Sequence, residues 1–170
     1  MTTAAESTMR GTPVVPGVAA GPALLVRGEV SPEAISRFGA GDFADDEAVL
    51  AAYDAAAGRV AEEFGRKAES ATGPAAEVLA ASAGLARDKG LRSAVRKSVA
   101  GGTDLVASVG AAVEQFVGIF TSMGGLLAER VTDLRDIERR LVADIVGEPA
   151  PGVPEPSEPS VLVAEDLAPS

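Results

Sequence analysis

Residues 105–145 read LVASVGAAVEQFVGIFTSMGGLLAERVTDLRDIERRLVADI. Leu105, Val109, Val113, Phe116 and Phe120 recur at steps of three and four, which places them on one stripe of a helix. After Gly124-Gly125 a second stripe follows at the same steps: Leu127, Val131, Leu134, Ile137, Leu141 and Ile145. Two amphipathic helices joined by a glycine turn predict an antiparallel pair.

The text upstream extends this pattern. Gly101-Gly102-Thr103-Asp104 supplies a turn and a helix cap, and residues 75–99 form a helical region that the pattern breaks near Gly90. Gly73-Pro74 closes the preceding helix and opens this one, since proline suits a first helical turn. In the preceding helix Val49, Tyr53, Ala57, Val60 and Phe64 make the stripe. Four such helices predict a mainly α fold, an antiparallel four-helix bundle. Asp42, Asp45, Asp46 and Glu47 precede the first of them; they lack the loop glycine and ligand periodicity of a calcium site, so they read as helix capping. Gly39-Ala-Gly41 has neither the Gly-Lys-Ser/Thr ending nor the preceding strand of a phosphate loop.

The ends of the chain have a different texture. Residues 11–28, GTPVVPGVAAGPALLVRG, alternate apolar residues with Gly and Pro and predict short strands and turns, with strand-like text at 14–26. Residues 148–160 hold five prolines and three glutamates, an extended linker. Residues 160–164 read as a buried strand. A strand needs a partner, and the only other strand-like text is at 14–26, so the bundle is expected to be inserted between two pieces of one β-containing domain. The expected divisions are a disordered leader at 1–10, a first β-containing piece at 11–30, the helical domain at 40–147, the linker at 148–159 and a second piece at 160–170.

Composition excludes several chemistries. The 170 residues contain no Cys and no His, so the chain has no thiolate nucleophile, no Ser–His pair and no imidazole to carry a phosphoryl group. A formal net charge of −10 argues against non-specific nucleic-acid binding, which needs a basic surface. The opening residues lack the basic and apolar regions of an export signal, and 14–26, interrupted by Pro16, Gly17, Gly21 and Pro22, is too short to span a bilayer. No membrane association and a cytoplasmic location are the expectation.

Three blocks carry a resemblance. VPGVAAGPALLV at 15–26 is similar to an SPGIAxGxALLL opening, ERVTDLRDI at 129–137 to an ERxxDxRDI helix, and VLVAEDLAPS at 161–170 to VILVAxDLxPS. In this order, flanking a four-helix region, they resemble Enzyme I, the phosphoenolpyruvate–protein phosphotransferase, over most of residues 11–170. The resemblance implies that the end pieces belong to an incomplete α/β swivelling phosphohistidine domain and that the bundle docks HPr, the small phosphocarrier protein. A GGxxSH-like histidine motif is expected after Ser170. So are a barrel that binds phosphoenolpyruvate and Mg²⁺ and a dimer interface, leaving this chain inactive, without a cofactor or metal, and monomeric. Two rivals are a nitrogen-system paralogue, disfavoured because only ten residues precede the first block, and a non-catalytic helical adaptor.

The resemblance also nominates partner-binding residues: Val78, Leu79, Ser82, Leu85, Leu91 and Arg130. By spacing alone the apolar ones are equally bundle core. The resemblance moves Leu85 and Leu91 to the interface and leaves Leu79 open; Ser82 stands where the family often has histidine. Residues 87–97 depart from the family's acidic text with Arg87, Lys89, Arg92, Arg96 and Lys97, which predicts a cognate HPr bearing compensating acidic residues. On the last helix, Arg130 is expected to serve phosphate recognition, for which a guanidinium is well shaped, and Arg135 a local role. A solvated face with Arg130–Asp133 and Asp136–Arg140 pairs, each worth roughly 0.2–0.5 kcal/mol, is the alternative.

Overall fold

In the computed structural model, residues 16–18, 20–25, 30–38, 43–150, 152 and 158–163 are described. The expected leader at 1–10, residues 14, 15, 19 and 26 of the first strand text, Gly39-Ala-Gly41, Asp42, half of the linker and residues 164–170 lie outside them. Helix α1 (Pro32–Arg37) is followed by α2 (Asp46–Ser70), α3 (Pro74–Ala86), α4 (Lys89–Ala100), α5 (Leu105–Met123), α6 (Gly125–Glu129) and α7 (Val131–Val146). Strands β1 (Ala23–Leu25) and β2 (Val161–Val163) flank them and pair in parallel, Ala23 opposite Val161.

The bundle forms where the stripes placed it. Asp45 caps α2 by accepting from the Ala48 N–H at 2.8 Å, and Asp104 caps α5 by accepting from the Ala107 N–H at 2.9 Å. Each bond satisfies one of the donors that a helix start leaves open. Tyr53, Ala57, Val60 and Phe64 of α2 are buried, as are Leu105, Val109 and Val113 of α5 and Leu134, Ile137 and Leu141 of α7. Val49, Phe116 and Phe120 are half-buried against this core. Four arms result: α2, the α3–α4 arm, α5, and the α6–α7 arm.

The second arm breaks near Gly90, as expected, at Arg87-Asp88, where Asp88 is a helix cap whose carboxylate accepts from the Leu91 N–H at 2.9 Å. Gly90 sits inside α4 for a different reason. A Cβ there would lie 3.0 Å from Cζ of Phe116, so the missing side chain lets α5 approach. The last arm divides at Arg130, which ends α6 and begins α7.

The strand text is shorter and less buried than predicted. Leu162 and Val163 are exposed, since among the described residues only β1 pairs with β2. Gly21 permits that pairing, for a Cβ would come within 2.7 Å of the Pro159 carbonyl oxygen. Helix α1, which the periodicity does not reveal, starts on Ser31; its hydroxyl accepts from the Ala34 N–H at 3.2 Å. The Ser31 hydroxyl and backbone N–H in turn donate to the Glu148 carboxylate at 2.6 and 3.1 Å, tying the start of α1 to the end of α7.

Among the described helices only α5 is long and apolar enough to cross a membrane by length and composition, a property that a search for unbroken apolar runs misses. Its buried stripe packs against α4 and α7.

One pair read as a solvated surface contact is inside the protein. The Arg140 side chain is 1 % exposed; Nε donates to Asp136 at 2.8 Å and Nη1 donates to Glu63 of α2 at 2.9 Å, with the guanidinium 5.0 Å over the Phe64 ring. Its dehydration puts it in a different energetic class from an exposed helix pair. Arg140→Ala is expected to cost about 1–3 kcal/mol, because the buried guanidinium's bonds to Asp136 and Glu63 and its place over Phe64 are lost, while Glu63 keeps Lys67 at 3.2 Å and Asp136 keeps Arg139 at 3.6 Å. A urea midpoint within error of the parent's would contradict this assignment.

Candidate functional site

The residues nominated by the resemblance separate into two groups. Val78 is 43 % exposed, while Leu79 and Leu85 are half-buried at the rim of the core. Leu91 is 1 % exposed and belongs to the core proper, as its place between Val95 and the Asp88 cap requires. The Ser82 side chain is also turned inward, its hydroxyl donating to the Val78 carbonyl at 3.1 Å. As folded, neither Leu91 nor Ser82 presents a side chain to a partner, which corrects the expectation for both.

Residues that the sequence reading missed enlarge the exposed group. Phe116 rests on Gly90 at the start of α4, so the last two turns of α5 run on past that helix with less to cover them. There Ile119 is 42 % and Met123 66 % exposed, and Leu126 on α6 is 80 % exposed. Phe116 and Phe120 brace this segment from beneath, edge to face at 6.3 Å. Met123 continues the α5 stripe by a step of three beyond Phe120, so the text alone does not separate it from the core, whereas Leu126 lies one residue off the stripe that starts at Leu127. Large apolar groups gathered at solvent mark a place for a partner.

Arg130 follows α6 directly, close in sequence to Leu126. Its guanidinium donates to Asp133 at 2.9 Å and its side chain remains 35 % exposed, so it has spare donors for an anion. Arg135 does a different job. It bridges Glu114 of α5 and Glu138 of its own helix, holding α5 and α7 together, in line with a local role. The Arg135 hydrogen bond lowers the Glu114 carboxyl below its usual range. Burial raises the Glu138 carboxyl above its usual range, with Arg135 pulling the other way.

The sequence contains no histidine, and among the described residues no group of three or more metal-binding side chains is placed to hold an ion. The Mg²⁺ implied by the resemblance belongs to the barrel expected beyond Ser170.

Comparison with known proteins bears on the class. The family described as "PEP-utilising enzyme, N-terminal" matches residues 10–130. The phosphoenolpyruvate-protein phosphotransferase of Streptomyces coelicolor is 38 % identical over 111 residues, covering 65 % of this chain and 20 % of that protein. Its counterpart in Bacillus subtilis is 31 % identical over 137 residues, covering 76 % of this chain and 24 % of that one. The solution structure of an Enzyme I protein (nEIt) shares the fold with a TM-score of 0.64 and 24 % identity, over 91 % of this chain and 64 % of its own. The chain belongs to the family of PEP-utilising enzymes, N-terminal, and is similar to part of the phosphoenolpyruvate-protein phosphotransferases. It spans about a fifth to a quarter of the length of these curated relatives.

Two outcomes follow from the geometry. Leu91→Ala should destabilise the fold by about 2–5 kcal/mol, as removal of a fully buried leucine does; a change in partner binding with stability intact would return Leu91 to the surface. Glu138 holds its proton more tightly when folded than when unfolded. Its contribution to stability therefore falls as pH rises from the unfolded carboxyl value of 4.5 through the raised folded one. Glu138→Gln is thus expected to gain stability relative to the parent at pH 7 and little at pH 3, read from denaturant midpoints. An equal difference at both pH values would refute the assignment.

Proposed function

We propose that this chain carries the HPr-docking surface of an Enzyme I whose intact form moves phosphate from phosphoenolpyruvate to its own histidine and then to HPr, in cytoplasmic sugar uptake. The observation that supports this reading is that large apolar side chains are left at solvent on three helices, Val78 on α3, Ile119 and Met123 on α5 and Leu126 on α6, with Leu85 half-buried and the Arg130 side chain 35 % exposed. A monomeric bundle gains nothing from leaving such groups in water; a partner's apolar ridge laid on them removes both surfaces from solvent.

The division of labour follows from what the chain contains. Apolar anchors supply most of the affinity of a transient complex, and the guanidinium of Arg130 supplies a planar, permanently charged group for a phosphoryl oxygen carried between two histidines. With no imidazole of its own, the chain positions HPr and transfers nothing. Leu79 supports the surface from its half-buried rim, and Leu91 and Ser82 support it from within.

An amide chemical-shift titration of the labelled chain with HPr from the same genome tests this. Shifts are expected at 78–85, at 119–126 and around Arg130. Leu85→Ala and Ile119→Ala are each expected to weaken binding by about 1–2 kcal/mol with the fold intact. Shifts confined to other helices, or none from a folded chain, would overturn the docking reading.

A further inference from the structure

Residues 148–159 read as an extended linker, yet where they leave the bundle they are seated on it. Gly147 ends α7 with φ 75°, and the Glu148 N–H donates back to the Ala143 carbonyl at 2.9 Å. That turn sends the chain over the seam between α2 and α7. Glu148 and Ala150 line a cavity of about 300 Å³ there, with Arg59 and Glu63 of α2 and Asp144 of α7. Gly152 comes to the guanidinium of Arg140, where a Cβ on the glycine would stand 3.9 Å from Nη2. The Arg140 side chain is 1 % exposed, so Gly152 is one of the groups that keep water from it.

The other exit is held at the same place. Ser31, at the head of α1, donates to Glu148 through its hydroxyl at 2.6 Å and its N–H at 3.1 Å. Val30 beside it packs against the core, which anchors Ser31 to the bundle. Strands β1 and β2 bring little of their own to this attachment. Each is three residues long, and Leu25, Leu162 and Val163 are exposed. Among the described residues no helix packs broadly on either strand. A pair so short has marginal stability by itself, so its position on the bundle must come through the two exits.

We propose that residues 148–152 form a strap, latched by Ser31 at one end and seated over Arg140 at the other, that makes the bundle and the β1–β2 pair one rigid body. This goes beyond the docking reading and does not depend on what the docking surface receives. The latch is a carboxylate accepting two bonds from one residue, and a charged acceptor makes stronger bonds than a neutral one. The seat calls for glycine, because φ at Gly152 is 153°, a conformation that L side chains rarely adopt. The strap lies outside the buried stripes of α2 and α7, so its opening is a local event that leaves them in place.

The test is nitrogen-15 relaxation on the labelled 170-residue chain, with helix content followed by circular dichroism. In the parent, the amides of 23–25 and 161–163 are expected to share the bundle's correlation time, and Ala150 to be as ordered as the helices. Ser31→Asp retains a cap for α1 but sets a second carboxylate against Glu148, and Glu148→Ala removes the acceptor. Each is expected to shorten the apparent correlation time of the strand amides about twofold while the helix amides stay unchanged. Gly152→Ala, which strains the seat and spares the latch, is expected to raise fast motion at Ala150. Strands that tumble apart from the bundle in the parent overturn the proposal, as do strands indifferent to both latch variants. Loss of helix content in both latch variants places the contact in the bundle's core and overturns the joint. An Ala150 unmoved by Gly152→Ala overturns the seat over Arg140.

Discussion

Arg140 is the constraint around which the bundle is organised. A guanidinium taken out of water must find hydrogen-bonding partners, and two carboxylates that serve Arg140 come from different helices, Asp136 on α7 and Glu63 on α2. Sliding α7 along α2 by one turn would separate the cation from Glu63 and leave charge unmatched inside. Apolar stripes alone tolerate such slippage, because one leucine replaces another at little cost. The pair therefore contributes register more than net stability. Arg59 and Asp144 repeat the α2–α7 pairing at the surface, where solvent weakens it. Since Arg130 opens α7, its place relative to the other arms follows from that register.

How far the structure was legible in the sequence depended on which physics was involved. Periodicity identified the arms because burial of one face is a property of each helix by itself; Tyr53, Val60, Val109 and Ile137 needed no partner to be recognised. Asp45 and Asp104 were legible as caps for the same local reason. Helix α1 was not, because six residues make too few turns for a stripe. The break near Gly90 was legible, but not that Asp88 makes it, nor that Gly90 itself is there for Phe116 of another helix. Arg140 looked like a surface residue because a charged side chain at an i,i+4 position usually is one. Its burial depends on Glu63, far away in the chain.

The candidate surface was half legible. Resemblance pointed to the α3 arm, but only packing tells Leu85 at the rim from Leu91 in the core, since both fit a helical stripe equally well. Ile119 and Met123 became visible through the unequal lengths of α4 and α5. The longer helix outruns its neighbour, and its apolar residues continue where the cover stops. A helix with one half in the core and the other half in water couples burial to exposure: the packed first half fixes the backbone position of the second, so ordering that helix adds no cost to any contact made there.

The pairing of β1 with β2 has a consequence for how this chain comes to its shape. Parallel strands separated by a whole bundle are a long-range contact of the kind that slows folding, because a large loop must close before any reward is gained. Here the loop is not slack. Helices built from nearby contacts condense first, and the bond between Ser31 and Glu148 holds the two exits of the bundle side by side. The strands then begin as neighbours, and what remains of the search is local. The bundle is thus the template on which the flanking segments meet, and the order of assembly runs from the middle of the chain outward.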